Sequence, residues 1–411
     1  MLSGVLHLVG GRALRRGDLR LLFAAVFLSF LGASVSFPLR QLYAQAHGAS
    51  PAEIGLMAGA FLLAPLLAQV PIGWLVDRWG RVPVFKLGLV SHALITLGYI
   101  PFNTPIDLIA LRFVEGLSAA TFAPAVNAYI ADVVPEEERS EAYGVLNATL
   151  SGGMLIGPLV GGIVGQAYGF ITAFVVNVAI ELFAAVLVWG RLREPATHAI
   201  QKTEEEVFTW RSLISWPLAG GYIAFFAAQM VMGMLSALWA IWLHDLGGSY
   251  TYIGITFTVF ALPQILFGAL AGRLSDRLGR APLLLVSGLL IALTYTSYGF
   301  LTNLTLIVVV GMAEGLFAAF QQPAIQALIA ESAPVGARGR VQGVAGASGA
   351  VGGAIAAIVS LPLYHGSRPV PFVLAGVIIV LGACASSSGA LVLARRRRSA
   401  VQAEAASATA R

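Results

Sequence analysis

Long apolar stretches alternate with short polar ones along the whole of this chain. The apolar runs are long enough to cross a bilayer, which takes about 20 residues in a helix. A helix satisfies its own backbone hydrogen bonds in lipid, whereas an open strand does not. The pattern therefore predicts twelve transmembrane helices, at about 20–43, 53–75, 83–101, 106–130, 142–165, 169–190, 216–243, 252–274, 282–301, 305–330, 341–363 and 370–394.

A charged loop occurs twice between these runs. The stretch Gly-Trp-Leu-Val-Asp-Arg-Trp-Gly-Arg-Val-Pro at 73–83 is repeated as Gly-Arg-Leu-Ser-Asp-Arg-Leu-Gly-Arg-Ala-Pro at 272–282, an offset of 199 residues. The same offset relates residues far beyond the loops, which indicates an internal duplication of six spans. We expect an all-α membrane protein with an N-terminal six-helix bundle at 1–191, a cytoplasmic linker at 192–215, a C-terminal bundle at 216–394 and a basic tail at 395–411.

Composition supports a membrane protein and charge gives its orientation. Hydrophobic residues make up 58% of the chain and charged residues 11%, against about 45–50% and 25% in soluble domains. Most lysines and arginines fall in alternate loops and in the tails, so the positive-inside rule predicts that both termini are cytoplasmic. In residues 1–18 the apolar residues precede the basic ones, the reverse of a secretory signal. We expect an uncleaved, multi-pass protein of the inner (plasma) membrane.

Several classes of function are disfavoured. The net charge of +5 comes from arginines that flank apolar runs, which points to membrane topology and not to nucleic-acid binding. Neither of the two lysines, Lys86 and Lys202, ends a phosphate-binding loop, and no His-Glu-x-x-His metal motif is present. The single Cys384 excludes an internal disulfide. We expect neither an enzyme nor a cofactor or metal site, and a monomer whose partners are a small-molecule substrate, protons and the bilayer.

The repeated loop has a structural and a functional interpretation. Gly80 suits a helix end, and Arg81 can reach the last carbonyls of the helix before it. Gly73 allows a neighbouring helix to approach. A turn with cytoplasmic charges explains these features, but Asp77 lies at the unfavourable end of the helix dipole and needs partners.

The loop resembles the signature loop of the major facilitator superfamily, which that family repeats between spans two and three and between spans eight and nine. The resemblance covers essentially the whole chain and implies a transporter with two pseudo-symmetric six-helix bundles. It also implies charge clusters that latch the cytoplasmic side when the outside is open. The residues that this latch would use are Gly73, Asp77, Arg78, Gly80, Arg81, Asp132, Asp276, Arg277, Arg280 and Glu331.

Span four carries two charges within an apolar run. Arg112 and Glu115 are three residues apart, so they share a helix face and can pair. The stretch resembles the span-four motif of the family, with Glu115 where the family usually has Gln. A pair that only fixes helix rotation is one interpretation. An intramembrane charge costs about 3 kcal/mol in insertion experiments, and the offset partner of Arg112 is the uncharged Gly311. We therefore favour a proton-coupling role for Arg112 and Glu115. The next candidates for this role are Glu314 and then Glu181.

Span five contains a stripe of glycines at helical spacing. Physically this is a seam for a close helix neighbour, and a proline within it bends the helix. The spacing also resembles the antiporter motif of drug–proton antiporters in the family. Its positions here are Gly144, Gly153, Gly157, Pro158 and Gly161.

Span one ends in Pro-Leu-Arg-Gln, which resembles the span-one motif of twelve-span drug exporters except for its last residue. Arg40 favours an anionic or lipid-like substrate, unless it snorkels to the outer interface. Further candidate substrate contacts, which packing also explains, are Phe37, Gln229, Trp239, Phe320 and Gln321.

The resemblance and the charges together predict a secondary active transporter that exports small amphipathic or drug-like molecules in exchange for protons. Its site would lie near the bilayer midplane, with access that alternates between the two sides. A proton symporter that imports a metabolite, and an exporter of an anionic or lipid-like substrate, remain alternatives.

Overall fold

A computed structural model describes residues 16–195, 213–334 and 337–409. All regular secondary structure in these ranges is helical. The helices are α1 (Gly17–Ser36), α2 (Arg40–Ala46), α3 (Pro51–Trp79), α4 (Arg81–Gly98), α5 (Pro105–Ala119), α6 (Phe122–Val133), α7 (Glu136–Trp189), α8 (Trp216–Met234), α9 (Ala240–Asp245), α10 (Tyr250–Leu278), α11 (Arg280–Tyr298), α12 (Leu304–Ser332), α13 (Arg338–Gly366) and α14 (Val370–Thr409). A π-helical turn at Leu235–Trp239 joins α8 to α9.

Helices occupy the positions of all the predicted spans, with differences at breaks and ends. Nine helices or joined helix pairs in the described ranges are long and apolar enough to cross a membrane. One of them, α7, bends where Gly169 has φ 83°, so it carries the predicted spans five and six. Predicted spans one, four and seven each divide into two helices. The last helix, α14, continues beyond predicted residue 394 into the basic tail.

Local sequence explains several helix starts. Ser50 and Glu53 form a reciprocal capping box at the start of α3, and Thr104 and Asp107 do the same for α5. Each box satisfies backbone donors that the first turn leaves without a partner. Gly80 (φ 96°) lies between α3 and α4, and Gly279 (φ 83°) lies at the matching position between α10 and α11. These two glycines provide the left-handed backbone of the repeated turn.

The chain forms two compact units. The first comprises residues 1–202 together with Leu235–Ala261 and Ala357–Pro362. The second comprises Thr203–Met234, Leu262–Ala356 and Leu363–Arg411. The first unit thus includes two segments from the second half of the sequence, and the division into 1–191 and 216–394 stays a sequence-based prediction.

The core of the first unit has three apolar parts, of which one is formed by Ala58, Ala237 and Ala357. The largest is built on α1, α4, α6 and α7 and includes Phe23, Phe85 and Tyr129. A smaller part surrounds Val35 and Leu39 near the end of α1. Between them along α1 lies Gly32, where an added Cβ would meet the Cγ of Glu181 at 3.0 Å. This close approach of α1 and α7 brings polar side chains into the interior of the unit.

Candidate functional site

The interior of the first unit contains a cluster of charged side chains from four helices. Glu115 on α5 is 1% exposed and lies at its centre. Arg40 on α2 is 3% exposed and Arg112 on α5 is 1% exposed. The remaining members are His92 on α4 and Glu181 on α7, the latter also 1% exposed. A buried charge is tolerated only when it is paired and hydrogen-bonded, so the contacts of this cluster are decisive.

Glu115 uses both carboxylate oxygens. Its Oε1 lies 2.7 Å from Nη2 of Arg40 and 3.3 Å from Nε2 of His92. Its Oε2 accepts a hydrogen bond from Nη1 of Arg112 at 3.0 Å and one from the Tyr99 hydroxyl at 2.8 Å. Four groups from three helices therefore converge on one carboxylate, and its charge holds those helices together.

The two arginines are held by aromatic side chains as well. The guanidinium carbon of Arg112 lies 4.0 Å from the centre of the Phe61 ring on α3, and that of Arg40 lies 5.9 Å from the centre of the Tyr99 ring. Such contacts stabilise a cation by about 0.5–2 kcal/mol. Beside Glu115, Gly116 lets α5 approach α3, because a Cβ there would lie 2.6 Å from the carbonyl oxygen of Phe61.

Glu181 joins the cluster through His92 and Asn177. Its Oε1 lies 2.8 Å from Nδ1 of His92. With the amide nitrogen of Asn177 turned toward Glu181, it donates to Oε1 at 2.9 Å and to the carbonyl of Gly32 at 2.9 Å, while its oxygen accepts from Ser36 at 2.8 Å. We adopt this orientation because it satisfies every neighbour of the amide. The second oxygen of Glu181 has no hydrogen-bond partner among the described residues.

The structure brings together residues that the sequence analysis treated separately. It pairs Arg112 with Glu115 across one helix turn, and it adds Glu181 and Arg40 to the same cluster. The suggestion that Arg40 snorkels to the outer interface is wrong, because its side chain is buried against Glu115. His92 and Tyr99 were not predicted. A histidine inside an apolar run was the available signal for His92.

Glu314 lies in the second unit, at the position that matches Glu115. It is 3% exposed, and its Oε2 accepts a hydrogen bond from the Tyr298 hydroxyl at 2.6 Å. Tyr298 is the offset partner of Tyr99, so the duplication preserves a tyrosine–glutamate pair in both halves. Among the described residues no basic side chain forms an ion pair with Glu314, whereas the offset partners of His92 and Arg112 are Ile291 and Gly311.

The glycine stripe of span five lies in α7 and packs against α1. A Cβ at Gly153 would lie 2.8 Å from the backbone nitrogen of Leu31, one at Gly157 would lie 2.7 Å from the carbonyl oxygen of Leu31, and one at Gly161 would lie 1.8 Å from that of Val35. Gly144 has open space around it. Pro158, within the same helix, is buried. Three of the four predicted glycines therefore allow close packing of the two helices.

The neighbouring face of α7 contacts α10 within the first unit. A Cβ at Gly254 would lie 2.3 Å from the carbonyl oxygen of Pro158, and one at Gly162 would lie 2.4 Å from that of Tyr250. In the same unit a Cβ at Gly55 would lie 2.8 Å from the carbonyl oxygen of Ala357. Small residues thus set the spacing between segments from both halves of the sequence.

The predicted latch residues form two ion-pair clusters. In the first unit, Nε of Arg81 lies 2.8 Å from Oδ2 of Asp132. Asp77 is exposed and takes no part in this pair, and Arg78 lies 5.1 Å from the centre of the Trp74 ring. Gly73 is surrounded by open space. The structure therefore pairs two of the predicted latch residues, Arg81 and Asp132, and leaves Asp77 outside this ion pair.

In the second unit, Arg280 forms an ion pair with Glu331. Arg397 of α14 contacts the other oxygen of Glu331 at 3.0 Å, a partner that the sequence analysis did not predict. The side chains of Asp276 and Arg277 lie outside the described part of the structure.

Glu194, just after α7, adds a contact to the repeated turn of the first unit. Its two carboxylate oxygens accept hydrogen bonds from the backbone nitrogens of Arg81 at 2.7 Å and Val82 at 2.8 Å. A carboxylate at this position satisfies free donors of α4 and interacts favourably with its dipole.

The predicted substrate contacts are distributed over both units. Phe37 packs edge-on against Phe257, with ring centres 5.4 Å apart. Trp239 is buried and donates to the Thr256 hydroxyl at 3.0 Å. Gln229, Phe320 and Gln321 belong to the second unit. Their role in substrate binding stays a prediction.

Comparison with known proteins gives a consistent result. The family model described as Major Facilitator Superfamily matches residues 22–227 and 221–410. Multidrug resistance protein 2 of Bacillus subtilis (strain 168) is 27% identical over 382 residues, which cover 88% of this chain and 92% of that protein. Tetracycline resistance protein, class E, of Escherichia coli is 27% identical over 344 residues, covering 78% and 81%.

Solved structures show the same fold. A bacterial homologue of the human lysosomal transporter Spinster has a TM-score of 0.74 at 18% identity and covers 93% of this chain and 98% of that chain. A D-xylose–proton symporter has a TM-score of 0.72 at 16% identity, covering 89% and 95%.

Proposed function

We propose that this chain, which belongs to the Major Facilitator Superfamily and is a secondary transporter, exports small amphipathic or drug-like organic molecules in exchange for protons. In this proposal it acts as a monomer in the plasma membrane, with both termini in the cytoplasm and with access that alternates between the two sides. The names of the relatives in Bacillus subtilis and Escherichia coli support the direction and the substrate class.

The observation that carries the proposal is the shared carboxylate of Glu115. As an anion it pairs with both Arg40 and Arg112 inside the protein. A buried pair is strongly destabilised when one partner loses its charge, by about 3–5 kcal/mol when the partner is removed outright. Protonation of one carboxyl group therefore changes the energy of two arginines and of the helices that hold them.

This geometry provides competition between proton and substrate. When Glu115 takes up a proton, Arg40 and Arg112 lose their common anion, and the ionised cluster no longer exists. A substrate that needs the ionised cluster and a proton that neutralises it cannot be bound at the same time. Binding of each ligand then weakens binding of the other by the same factor, which is a coupling that supports antiport.

Glu314 is proposed as a second proton-carrying acid. Its hydrogen bond comes from the neutral Tyr298 hydroxyl, and a carboxylate without a cationic partner is costly in a membrane interior. The neutral acid is the form that this environment accommodates more easily. We also propose that the close packing of α7 permits antiport. The charged residues at the repeated turns are proposed to act as latches.

The test uses purified protein in proteoliposomes with an imposed pH gradient. Ethidium, tetracycline, a lipophilic anion and a lysolipid are each added in turn, and a pH-sensitive dye reports proton movement. Antiport predicts that a transported probe dissipates the gradient in wild-type vesicles and that Glu115→Gln abolishes this effect. Glu137→Gln, which removes an exposed carboxylate at the start of α7, serves as the control and should behave like the wild type.

Two results would contradict the proposal. Fully proton-driven transport by Glu115→Gln would refute the coupling role of this residue. Movement of probe and protons in the same direction would refute export by antiport and favour a symporter.

A further inference from the structure

His92 is the member of the buried cluster that connects its two carboxylates. Nε2 of its ring lies 3.3 Å from Glu115 Oε1, and Nδ1 lies 2.8 Å from Glu181 Oε1. The two glutamates belong to different helices, α5 and α7, and the ring belongs to α4. The mechanism proposed above uses Glu115 and the arginines but gives His92 no role.

Counting hydrogens shows that this bridge holds an exchangeable proton. A neutral imidazole carries one N–H, so it can donate to only one of two carboxylates. The other ring nitrogen would then direct its lone pair at a carboxylate oxygen within ion-pair distance, which is repulsive. The contacts on both sides therefore require one proton more than two carboxylates and a neutral ring possess.

His92 is the most exposed of the three members that this bridge joins. Its side chain is 14% exposed, compared with 1% for Glu115 and 1% for Glu181. A proton that enters the cluster from its exposed side therefore meets the imidazole before either carboxylate. Histidine suits this task because it exchanges protons near neutral pH in ordinary surroundings.

Charged and polar side chains surround the His92 ring on both sides. Arg40 and Arg112 lie beyond Glu115 and hold it as an anion, and Tyr99 donates to its second oxygen. On the other side, Asn177 donates to Glu181. With an imidazolium, the two arginines and the two carboxylates, the cluster carries one net positive charge.

We propose that His92 is the proton-transfer residue of this transporter and that Glu181 positions its ring. In the transfer step the N–H bond at Nε2 breaks and an O–H bond forms at Glu115. The ring is then neutral and keeps its remaining proton on Nδ1, 2.8 Å from Oε1 of Glu181, while Glu115 becomes a neutral acid. The net charge of the cluster does not change, but the arginines lose their shared anion. This inference rests on the proposed function, because it supplies the route by which Glu115 is protonated.

The transport test separates proton movement from substrate movement in His92→Gln. Glutamine can hydrogen-bond to its neighbours but cannot carry the proton. Exchange of ethidium across vesicles without a pH gradient measures substrate movement alone and gives the reference rate for each variant. Gradient-driven uptake should fall at least tenfold and lose its dependence on pH between about 6 and 8. His365→Gln, at an exposed histidine, is the matched control and should retain both activities.

A second measurement addresses the bridge without any substrate. Nitrogen NMR of protein labelled at histidine distinguishes a ring with two N–H groups from a neutral tautomer, and the His92 signal is assigned as the one that remains when the other five of the six histidines are replaced. We expect the doubly protonated form in the wild type and its loss in Glu181→Gln. This test also covers the case in which His92→Gln fails to fold.

The results that would overturn this inference differ from the result that would overturn the proposed function. Gradient-driven uptake by His92→Gln equal to that of the wild type would overturn the transfer role and leave the proposed antiport intact. A neutral single tautomer of His92 in the wild type would overturn the bridge. Wild-type vesicles that move ethidium without moving protons would overturn the proposed function and the transfer role together.

Discussion

The close packing of α1 and α7 can be tested with a single methyl group. In Gly161→Ala the added Cβ would lie 1.8 Å from the carbonyl oxygen of Val35 and 2.7 Å from the carbonyl carbon. Ordinary contacts of this kind are about 3.3–3.6 Å, so the helices must separate by on the order of 1.5 Å. Both atoms belong to the backbone, which cannot turn away as a side chain would.

The expected magnitude follows from a comparison within one helix. Gly144 also lies in α7 but has no atom within 4 Å of an added Cβ. Both variants gain the helix propensity of alanine over glycine, about 1 kcal/mol, so this contribution cancels in the difference. Overpacking costs about 1–3 kcal/mol. We expect Gly161→Ala to be less stable than Gly144→Ala by this amount or more.

The assay is reversible unfolding of the purified protein in mixed micelles by a denaturing detergent, followed by circular dichroism. The difference in the free energy of unfolding between the two variants is the quantity of interest. Equal free energies would refute the close approach of α1 and α7 at Gly161. A loss of stability in Gly144→Ala as well would show that the helix as a whole does not tolerate alanine.

Two further predictions concern paired side chains. A double-mutant cycle on Arg81 and Asp132 should give a coupling energy of about 1.5–3 kcal/mol in the free energy of unfolding, because the pair is charged and mostly buried. Tyr298→Phe should cost about 1–3 kcal/mol, since it removes the hydroxyl that donates to Glu314 at 2.6 Å. Tyr99→Phe should cost less because its glutamate keeps two arginines.

Each of these two predictions has a control within the same protein. The pair of Arg16 and Glu138 has a longer separation of 3.6 Å and side chains that are 42% and 21% exposed. Its coupling energy should be below about 1 kcal/mol. A coupling as small for Arg81 and Asp132, or a larger loss for Tyr99→Phe than for Tyr298→Phe, would contradict the energetic account given above.

The helical architecture was predictable because it depends on local features of the sequence. Apolar runs gave the spans, and the repeated turn gave the duplication. The Arg112–Glu115 pair followed from the pitch of one helix. The breaks within predicted spans one, four and seven were missed, since an apolar run does not reveal where a helix bends.

The rest of the site depends on how helices pack, which a single sequence does not specify. Arg40, His92 and Glu181 come from three different helices, and no periodicity relates them to Glu115. The interpretation of Arg40 as an interfacial residue failed for this reason. Asp77 shows the opposite case, because the helix-dipole argument predicted partners and none is found for it among the residues that the structure describes.

The π-helical turn at Leu235–Trp239 has a consequence for the phase of the helix that follows it. A π turn holds one residue more than an α-helical turn, and each residue advances an α-helix by about 100°. Deleting one residue here would restore a regular helix and rotate α9 by that angle, turning Trp242 out of its buried position. The first half breaks at the same register, between α1 and α2. Both halves therefore interrupt the regular α-helix at the same position of the repeat. The first half does so at a proline, and the second half does so with an additional residue in the turn.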